Sequence, residues 1–187
     1  MRRFPKTRLR RNREQDFVRR LVREHKVTAD DLIYPMFVID GDNCSTEIAS
    51  MPGISRMSVD LVVQEASTLF DLGLPAIALF PNVDSSLRTL DGAEAYNEKG
   101  LVPTAVRAIK AKVPELGIIT DAALDPYTSH GQDGILDESG YVSNDITVTA
   151  LQKQAAVCAE AGADVIAPSD MMDCLLYTSD AADDGLC

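Results

Sequence analysis

The loop of residues 121–134, with the sequence DAALDPYTSHGQDG, holds a dense group of side chains that could take part in catalysis. It contains Asp121, Asp125 and Asp133 together with one histidine and two glycines, and it directly follows the apolar run 117–120. α/β enzymes commonly place catalytic groups in such loops, because the buried strand holds the loop rigid. Asp121, at the junction of strand and loop, could pair with a cationic amine. We therefore predict a catalytic role for Asp121.

Ser169 and Asp170 form a second polar group, which follows the apolar run 164–167. A hydroxyl at a strand end could donate a hydrogen bond to a substrate, and the alternative is that Ser169 or Asp170 caps a helix. We predict a catalytic role for Ser169 and substrate binding for Asp170. For His130 we predict a structural hydrogen-bonding role, because the sequence fixes no acidic partner that would make it a general base.

Short apolar runs separated by amphipathic stretches are the elements that must position these residues. Four runs, at 32–39, 76–80, 117–124 and 164–167, are typical of parallel strands buried on both faces. We predict helices from Ser58 to about residue 72, from Pro103 to Pro114, and over 147–161. Glycines that could end helices stand at 73, 117 and 162, spaced 44 and 45 residues apart. This regular spacing indicates repeated β-α units.

Two architectures use such units, the doubly wound open sheet and the closed (β/α)8 barrel. The first predicted strand leads into residues 39–43 (IDGDN), which lack the G-x-G-x-x-G pattern of a dinucleotide-binding sheet. Polar residues at successive strand ends suit a barrel, where several strands contribute to one site. We predict an α/β fold that forms an incomplete (β/α)8 TIM barrel of about the first four β-α units.

Composition and charge separate the N-terminus from the rest of the chain. The chain has 187 residues, of which 45% are hydrophobic, and no apolar run long enough to cross a bilayer, so we predict a cytoplasmic protein without a membrane partner. Residues 1–26 carry eleven Lys or Arg and three acids, a net charge of +8, although the whole chain carries −11. We predict that residues 1–31 form a basic arm that docks on an acidic protein surface, and not on nucleic acid, because aromatic side chains are scarce there.

Six further segments, together with the loop 121–134, identify a family that this chain resembles. They are residues 7–12 (TRLRRN), 50–53 (SMPG), 78–81 (ALFP), 93–97 (AEAYN), 114–121 (PELGIITD) and 167–173 (APSDMMD). In this order and spacing they resemble the porphobilinogen synthases, also called 5-aminolevulinate dehydratases, and the resemblance is nearly continuous over residues 3–173. It implies a TIM barrel that condenses two molecules of 5-aminolevulinate to porphobilinogen with loss of water. It also implies a homo-oligomer in which the N-terminal arm wraps a neighbouring subunit.

The metal expected from this resemblance depends on three positions of the loop. Where zinc-using members of the family carry cysteines, this chain has Ala123, Asp125 and Asp133. Alanine cannot ligate a metal, and carboxylates are hard oxygen donors that suit Mg²⁺ better than Zn²⁺. We therefore predict Mg²⁺ with Asp125 and Asp133 as ligands and no active-site zinc. The alternative is that both aspartates are solvated turn formers.

The resemblance also implies that residues essential for the reaction are missing. The family's two lysines that form Schiff bases with substrate come from strands beyond residue 173, and none of the six lysines present follows an apolar strand. We predict that residues 32–173 are the N-terminal half of the barrel and that this fragment is inactive. An aldolase-like Schiff-base enzyme and a non-catalytic assembly module are the alternatives.

Residues 174–187 (CLLYTSDAADDGLC) depart from the family, whose members continue with glycine and arginine. We interpret this segment as a non-family tail that resembles the translation of a sequencing adapter. The alternative is a genuine short acidic terminus.

Overall fold

The computed structural model of the chain describes Arg3, Lys6 and residues 10–173. The predicted tail, 174–187, and most of residues 1–9 lie outside the described residues. The described part of the predicted arm contains two short helices, α1 (Arg11–Glu14) and α2 (Asp16–Leu21), and neither helix buries a residue. Three apolar side chains of this segment are largely exposed: Phe17 at 59%, Leu21 at 79% and Val27 at 78%.

Six strands form one sheet, and three long helices pack against it. The strands are β1 (Ile33–Ile39), β2 (Ser45–Glu47), β3 (Ser55–Ser58), β4 (Ala76–Pro81), β5 (Gly117–Ala122) and β6 (Val165–Pro168). The helices are α3 (Val59–Asp71), α4 (Leu101–Lys112) and α5 (Asn144–Ala161). The strand order is β2-β3-β1-β4-β5-β6, in which β1, β4, β5 and β6 run parallel and follow one another in chain order.

The side of the sheet on which the helices lie decides between the two predicted architectures. Alternate strand residues, such as Met36, Ile77 and Ile118, belong to one core cluster with residues of α3, α4 and α5. All three helices therefore cover the same face, whereas a doubly wound sheet carries helices on both faces. The opposite face is only partly covered and includes Phe37 and Phe80, whose ring centroids are 5.8 Å apart. This arrangement is that of part of a (β/α)8 barrel.

Strands β2 and β3 are additions that the sequence analysis did not predict. Both are short and polar, and every residue of β2 is exposed, so neither has the apolar run by which the other four strands were found. β3 pairs in parallel with residues 37–39 at the carboxyl end of β1, and β2 pairs antiparallel with β3. The structure therefore extends the sheet at this side of β1.

The helices lie close to their predicted positions, although α4 begins two residues before Pro103 and α5 begins three residues before residue 147. Gly73 and Gly162 have positive φ angles of 88° and 107° and follow α3 and α5, as the helix-ending role predicts. Gly117 instead begins β5, where an added Cβ would lie 3.0 Å from the Pro75 carbonyl oxygen. Pro103 is the third residue of α4, a position where its missing N–H removes no helical hydrogen bond. Among the described residues, none of the helices combines the length and apolar character needed to cross a bilayer.

Candidate active site

The carboxyl ends of β5 and β6 bring the two predicted catalytic residues into contact. Asp121 is opposite Ala167 in the parallel register, and Ser169 follows directly after β6. The Ser169 hydroxyl donates a hydrogen bond of 2.6 Å to Asp121 Oδ1, although the two residues are 48 positions apart in the chain. Burial raises the pKa of Asp121, and the hydrogen bond from Ser169 opposes that rise. We call these two residues the Asp121–Ser169 pair.

Asp170 links the loop after β6 to the loop after β5. Its residue is only 8% exposed, and its Oδ2 accepts a hydrogen bond of 3.2 Å from the Leu124 N–H. Burial raises the pKa of Asp170 to about 7, and the negative charges of Asp133 and Asp125 add to the rise. At neutral pH this carboxyl is therefore partly protonated. No helix begins at Ser169 or Asp170 within the described residues, so the structure does not show the helix cap considered as an alternative.

Asp170 also converges with the two aspartates predicted as metal ligands. One carboxylate oxygen from each of Asp125, Asp133 and Asp170 lies within 4.8 Å of the other two, and we call these residues the carboxylate cluster. Desolvation raises the pKa of Asp125, and repulsion from Asp133 and Asp121 raises it further. Carboxylate oxygens are hard donors of the kind that Mg²⁺ prefers. Ala123 is 3% exposed and, as the sequence indicates, offers no ligand atom.

The loop that carries Asp125 is held by a neighbouring segment after β4. Tyr127 N–H and Thr128 N–H both donate to the Leu124 carbonyl, which forms a tight turn around Asp125. Thr89 N–H donates to the Tyr127 carbonyl at 3.1 Å, and Ser129 N–H donates to the Thr89 carbonyl at 2.9 Å. These backbone hydrogen bonds fix the position of the turn relative to the rest of the barrel rim.

Close packing around Gly134 positions Asp133. A Cβ at residue 134 would lie 2.7 Å from Val142 Cγ1 and 3.1 Å from Thr147 Oγ1, so only glycine fits without movement. Thr147, which is fully buried on α5, accepts a hydrogen bond from the Ile135 N–H at 2.9 Å and donates one to the Ser143 carbonyl at 2.6 Å. The backbone on the carboxyl side of Asp133 is therefore fixed by α5.

His130 has the hydrogen-bonding role that the sequence analysis predicts. Its Nδ1 accepts a hydrogen bond from the Gln132 N–H at 3.2 Å, so the proton belongs on Nε2, which lies 3.2 Å from the Leu90 carbonyl oxygen. The ring thereby ties the loop after β5 to the segment after β4. Both ring nitrogens take part in these contacts.

Sequence reasoning missed Arg88, a half-buried cation beside the carboxylate cluster. Its Nε and Nη2 donate to the Val83 carbonyl at 3.1 Å and 2.9 Å, which fixes the guanidinium in place. The positive charge of Arg88 opposes the rise in the pKa of Asp125. Nothing in the sequence around Arg88 indicates this placement, because it depends on the packing of two loops that are far apart in the chain.

The six lysines all fall within the described residues, and no described hydrogen bond or ion pair joins any of them to the carboxylates of the site. Lys110 instead contacts Asp164 at 2.7 Å and the Leu116 carbonyl at 2.9 Å, at the amino end of β5. Lys153 lies over the ring of Tyr96, 5.2 Å from its centroid. Lys110 is therefore held at the opposite end of β5 from Asp121.

Comparisons with known proteins identify the family of this chain. Residues 6–179 match the family described as delta-aminolevulinic acid dehydratase. The chain belongs to this family. The match passes the boundary predicted at residue 173, and that boundary stays a prediction. Membership in the dehydratase family argues against the aldolase-like alternative.

Alignments with individual members of the dehydratase family show what share of their length this chain covers. The delta-aminolevulinic acid dehydratase of Bradyrhizobium diazoefficiens is 56% identical over 164 residues, which are 88% of this chain and 46% of that protein. That of Synechocystis sp. is 46% identical over 173 residues, covering 91% of this chain and 52% of that protein. The chain therefore spans about half the length of the curated relatives it matches.

A solved structure supports the fold at the level of coordinates. The crystal structure of delta-aminolevulinic acid dehydratase (porphobilinogen synthase) from Toxoplasma gondii, in complex with the reaction product porphobilinogen, matches with a TM-score of 0.87 and 45% identity. The match covers 93% of this chain and 51% of that chain. The predicted fold, a partial TIM barrel, is confirmed.

Proposed function

We propose that this chain supplies one wall of a porphobilinogen synthase active site, in which 5-aminolevulinate is condensed to porphobilinogen. The observation that carries this proposal is the contact between Ser169 and Asp121, 2.6 Å long, beside the carboxylate cluster at the ends of β5 and β6. Active sites of TIM barrels lie at this end of the strands. The family's solved structure from Toxoplasma gondii holds porphobilinogen, which supports the same assignment of ligand.

In this proposal the Asp121–Ser169 pair binds and orients the amino end of the substrate. 5-Aminolevulinate carries a primary ammonium group, and the Asp121 carboxylate offers it a negative charge at the end of β5. The Ser169 hydroxyl fixes which carboxylate oxygen faces the ligand by donating to Oδ1. Asp170 stands next in the chain, and in the absence of a bound cation its carboxyl, with a pKa raised to about 7, could hold or release a proton near a bound substrate.

We further propose that Mg²⁺, and not Zn²⁺, is the cation of this site. Asp125, Asp133 and Asp170 would hold it through carboxylate oxygens, which are the ligands that Mg²⁺ prefers. When bound, the ion would supply positive charge that polarises a substrate oxygen. Its charge would also relieve the repulsion among the clustered carboxylates, which raises the pKa of Asp125 and Asp170.

The chain alone is expected to bind ligand without turning it over. The lysines that form Schiff bases in the family belong, by resemblance, to strands beyond residue 173, and Lys110 is held at the amino end of β5, away from the site. Incubation with 5-aminolevulinate should therefore yield no porphobilinogen by a colorimetric pyrrole assay. Borohydride reduction followed by peptide mass spectrometry should leave all six lysines unmodified. Pyrrole formation, or a reduced adduct on any lysine, would contradict this part of the proposal.

Ligand binding is the direct test of the site. Saturation-transfer NMR with porphobilinogen should give a signal for the chain that weakens at least fivefold in Ser169→Ala and Asp121→Asn. Ser139→Ala is the matched control, because Ser139 also donates a 2.6 Å hydrogen bond to an aspartate, Asp137, but on an exposed turn. Equal signals from Ser169→Ala and Ser139→Ala would refute the assignment of the Asp121–Ser169 pair.

The metal is tested separately with Mn²⁺, which is detected by electron paramagnetic resonance. The chain should bind one Mn²⁺ that Mg²⁺ displaces, and Asp125→Asn should weaken the binding at least tenfold. Asp137→Asn, a change of the same kind on an exposed turn, should leave it unaltered. Binding that survives Asp125→Asn and Asp133→Asn would place the ion elsewhere.

We also propose that the basic arm contacts another subunit of a cytoplasmic homo-oligomer. The support is that α1 and α2 bury no residue, while Phe17 is 59% and Leu21 79% exposed. Sedimentation of the chain with a full-length dehydratase of the family should show co-migration that is lost in the double variant Phe17→Ser, Leu21→Ser. Unchanged co-migration would remove the arm from the interface.

A further inference from the structure

Gln154 is a buried polar residue on the face of α5 that packs behind the active-site loop. Its residue is 2% exposed. It lies three and four positions after Leu151 and Ala150, which form an apolar cluster with Leu124 and Tyr127. An amide in such a place is unfavourable unless its atoms are hydrogen-bonded, and Gln154 Oε1 has no hydrogen-bond partner among the described residues. A leucine of similar size would suit the packing alone.

One hydrogen bond of Gln154 lies at the carboxyl end of β5. Its Nε2 donates a hydrogen bond of 3.2 Å to the carbonyl of Ala123, the first residue after β5. The pairing of β5 with β6 ends one residue earlier, at Ala122, so this carbonyl has no strand partner. Gln154 therefore continues the support of the backbone one residue beyond the sheet.

The next backbone group is held from the other side of the loop. Leu124 N–H donates to Asp170 Oδ2, so the carbonyl and the N–H of the single peptide group between Ala123 and Leu124 are each held by one side chain. The Gln154 amide also interacts with the buried phenol of Tyr127, which is three residues after Leu124. Asp121 and Asp125 stand two residues on either side of Ala123, and the direction of both carboxylates depends on the path of the backbone between them.

We propose that Gln154 is a positioning residue. It fixes the backbone at Ala123 so that Asp121 can accept the hydrogen bond from Ser169 and Asp125 can lie beside Asp133 and Asp170. Its value for catalysis rests on the proposed function. The positioning itself does not, since it is a statement about the backbone of residues 123–128. An amide donor, and not merely a side chain of this volume, is what the position requires.

The test compares Gln154→Leu with Gln64→Leu, the same change at an exposed site on α3. Hydrogen–deuterium exchange of peptides that cover residues 123–128 should be accelerated at least tenfold in Gln154→Leu and unaltered in the control. The thermal unfolding midpoint of Gln154→Leu should change little, because the burial of an apolar side chain opposes the cost of the unpaired Ala123 carbonyl. Mn²⁺ affinity should fall at least fivefold.

A second variant keeps the test decisive if Gln154→Leu does not fold. Gln154→Glu keeps the size and, when ionised, has no donor for the Ala123 carbonyl, so it should accelerate the same peptides. Unchanged exchange at residues 123–128 in the folded variants would overturn the proposal. So would acceleration spread evenly over β1, β4 and α4 with a lowered midpoint, which would identify an ordinary packing residue. Failure of the wild-type chain to bind Mn²⁺ would refute the proposed metal site, and the exchange data would still decide the role of Gln154.

Discussion

Replacement of Asp170 by asparagine should make the protein more stable at alkaline pH. In the folded chain the carboxyl is buried and beside other carboxylates, and its pKa rises from the ordinary 3.8 to about 7. Asparagine has nearly the same shape and keeps an oxygen that can accept from the Leu124 N–H. The substitution therefore removes the titrating group and leaves its hydrogen bond in place.

The sign of the effect follows from which state binds the proton more tightly. Between pH 4 and 7 the folded chain retains a proton on Asp170 that the unfolded chain has lost, so stability falls as the pH rises through this range. The pKa rises from 3.8 to about 7, and each unit corresponds to about 1.4 kcal/mol, so the full loss is on the order of 4 kcal/mol. Below pH 4 the contribution is fully present, and above pH 7 it is gone.

Urea denaturation at a series of pH values from 4 to 8 measures this directly. The unfolding free energies of the wild type and of Asp170→Asn should be similar at pH 4, and the variant should become more stable by up to about 4 kcal/mol at pH 8. Asp137→Asn is the control, because hydrogen bonds from Ser139 and neighbouring amides lower the pKa of that exposed carboxyl, so any effect has the opposite sign. A difference between wild type and Asp170→Asn that does not change with pH would refute the reasoning.

Two substitutions test how the rest of the scaffold is held. Gly134→Ala should destabilise the chain by about 1–3 kcal/mol, because its Cβ would lie 2.7 Å from Val142 Cγ1, and chemical denaturation at pH 7 measures the loss. Lys110→Met should cost about 1–2 kcal/mol, since it removes hydrogen bonds to two carbonyls and the 2.7 Å contact with Asp164, whose side chain is 46% exposed and therefore partly screened. A coupling above about 1 kcal/mol in a double-mutant cycle with Asp164→Asn would contradict that screening.

The four main strands were predictable because each carries the continuous apolar run that is typical of a strand in a parallel sheet. The predicted run 76–80 corresponds to β4 (Ala76–Pro81), and the run 164–167 differs from β6 (Val165–Pro168) by one residue at each end. β2 and β3 carry no such run: β3 pairs with the carboxyl end of β1, and β2 pairs with β3. Their existence depends on tertiary contacts that a local pattern does not encode.

The site was predictable where it depends on strand ends and unpredictable where it depends on packing between loops. Parallel strands bring their carboxyl ends together, so Asp121 and Ser169 could be placed near each other from the apolar runs alone. Arg88 is in the segment after β4, and no local sequence pattern indicates that this segment packs beside the site. Gln154 left a weak mark, because it stands at helical spacing on the apolar face of α5, where a polar residue is unexpected.

The pKa values of carboxyl groups shift in opposite directions at the two ends of β5. At the amino end, Asp164 contacts Lys110 and the Ile118 N–H; although desolvation raises its pKa, these contacts outweigh that effect and lower it. At the carboxyl end, Asp121 and Asp170 are desolvated beside other carboxylates, and their pKa values are raised. The first arrangement stabilises the fold, and the second destabilises it at neutral pH.

A ligand that binds only the folded chain would offset the loss of stability that these carboxylates cause at neutral pH. Such a ligand must carry positive charge, and the two candidates are a divalent cation at the carboxylate cluster and the ammonium group of 5-aminolevulinate at Asp121. Either one would stabilise the folded chain in proportion to its binding. Stability near pH 8 should therefore rise with added Mg²⁺ in the wild type and rise less in Asp170→Asn, which lacks one of the three ligands. An equal rise in both would mean that the cation stabilises the chain by some route other than the carboxylate cluster.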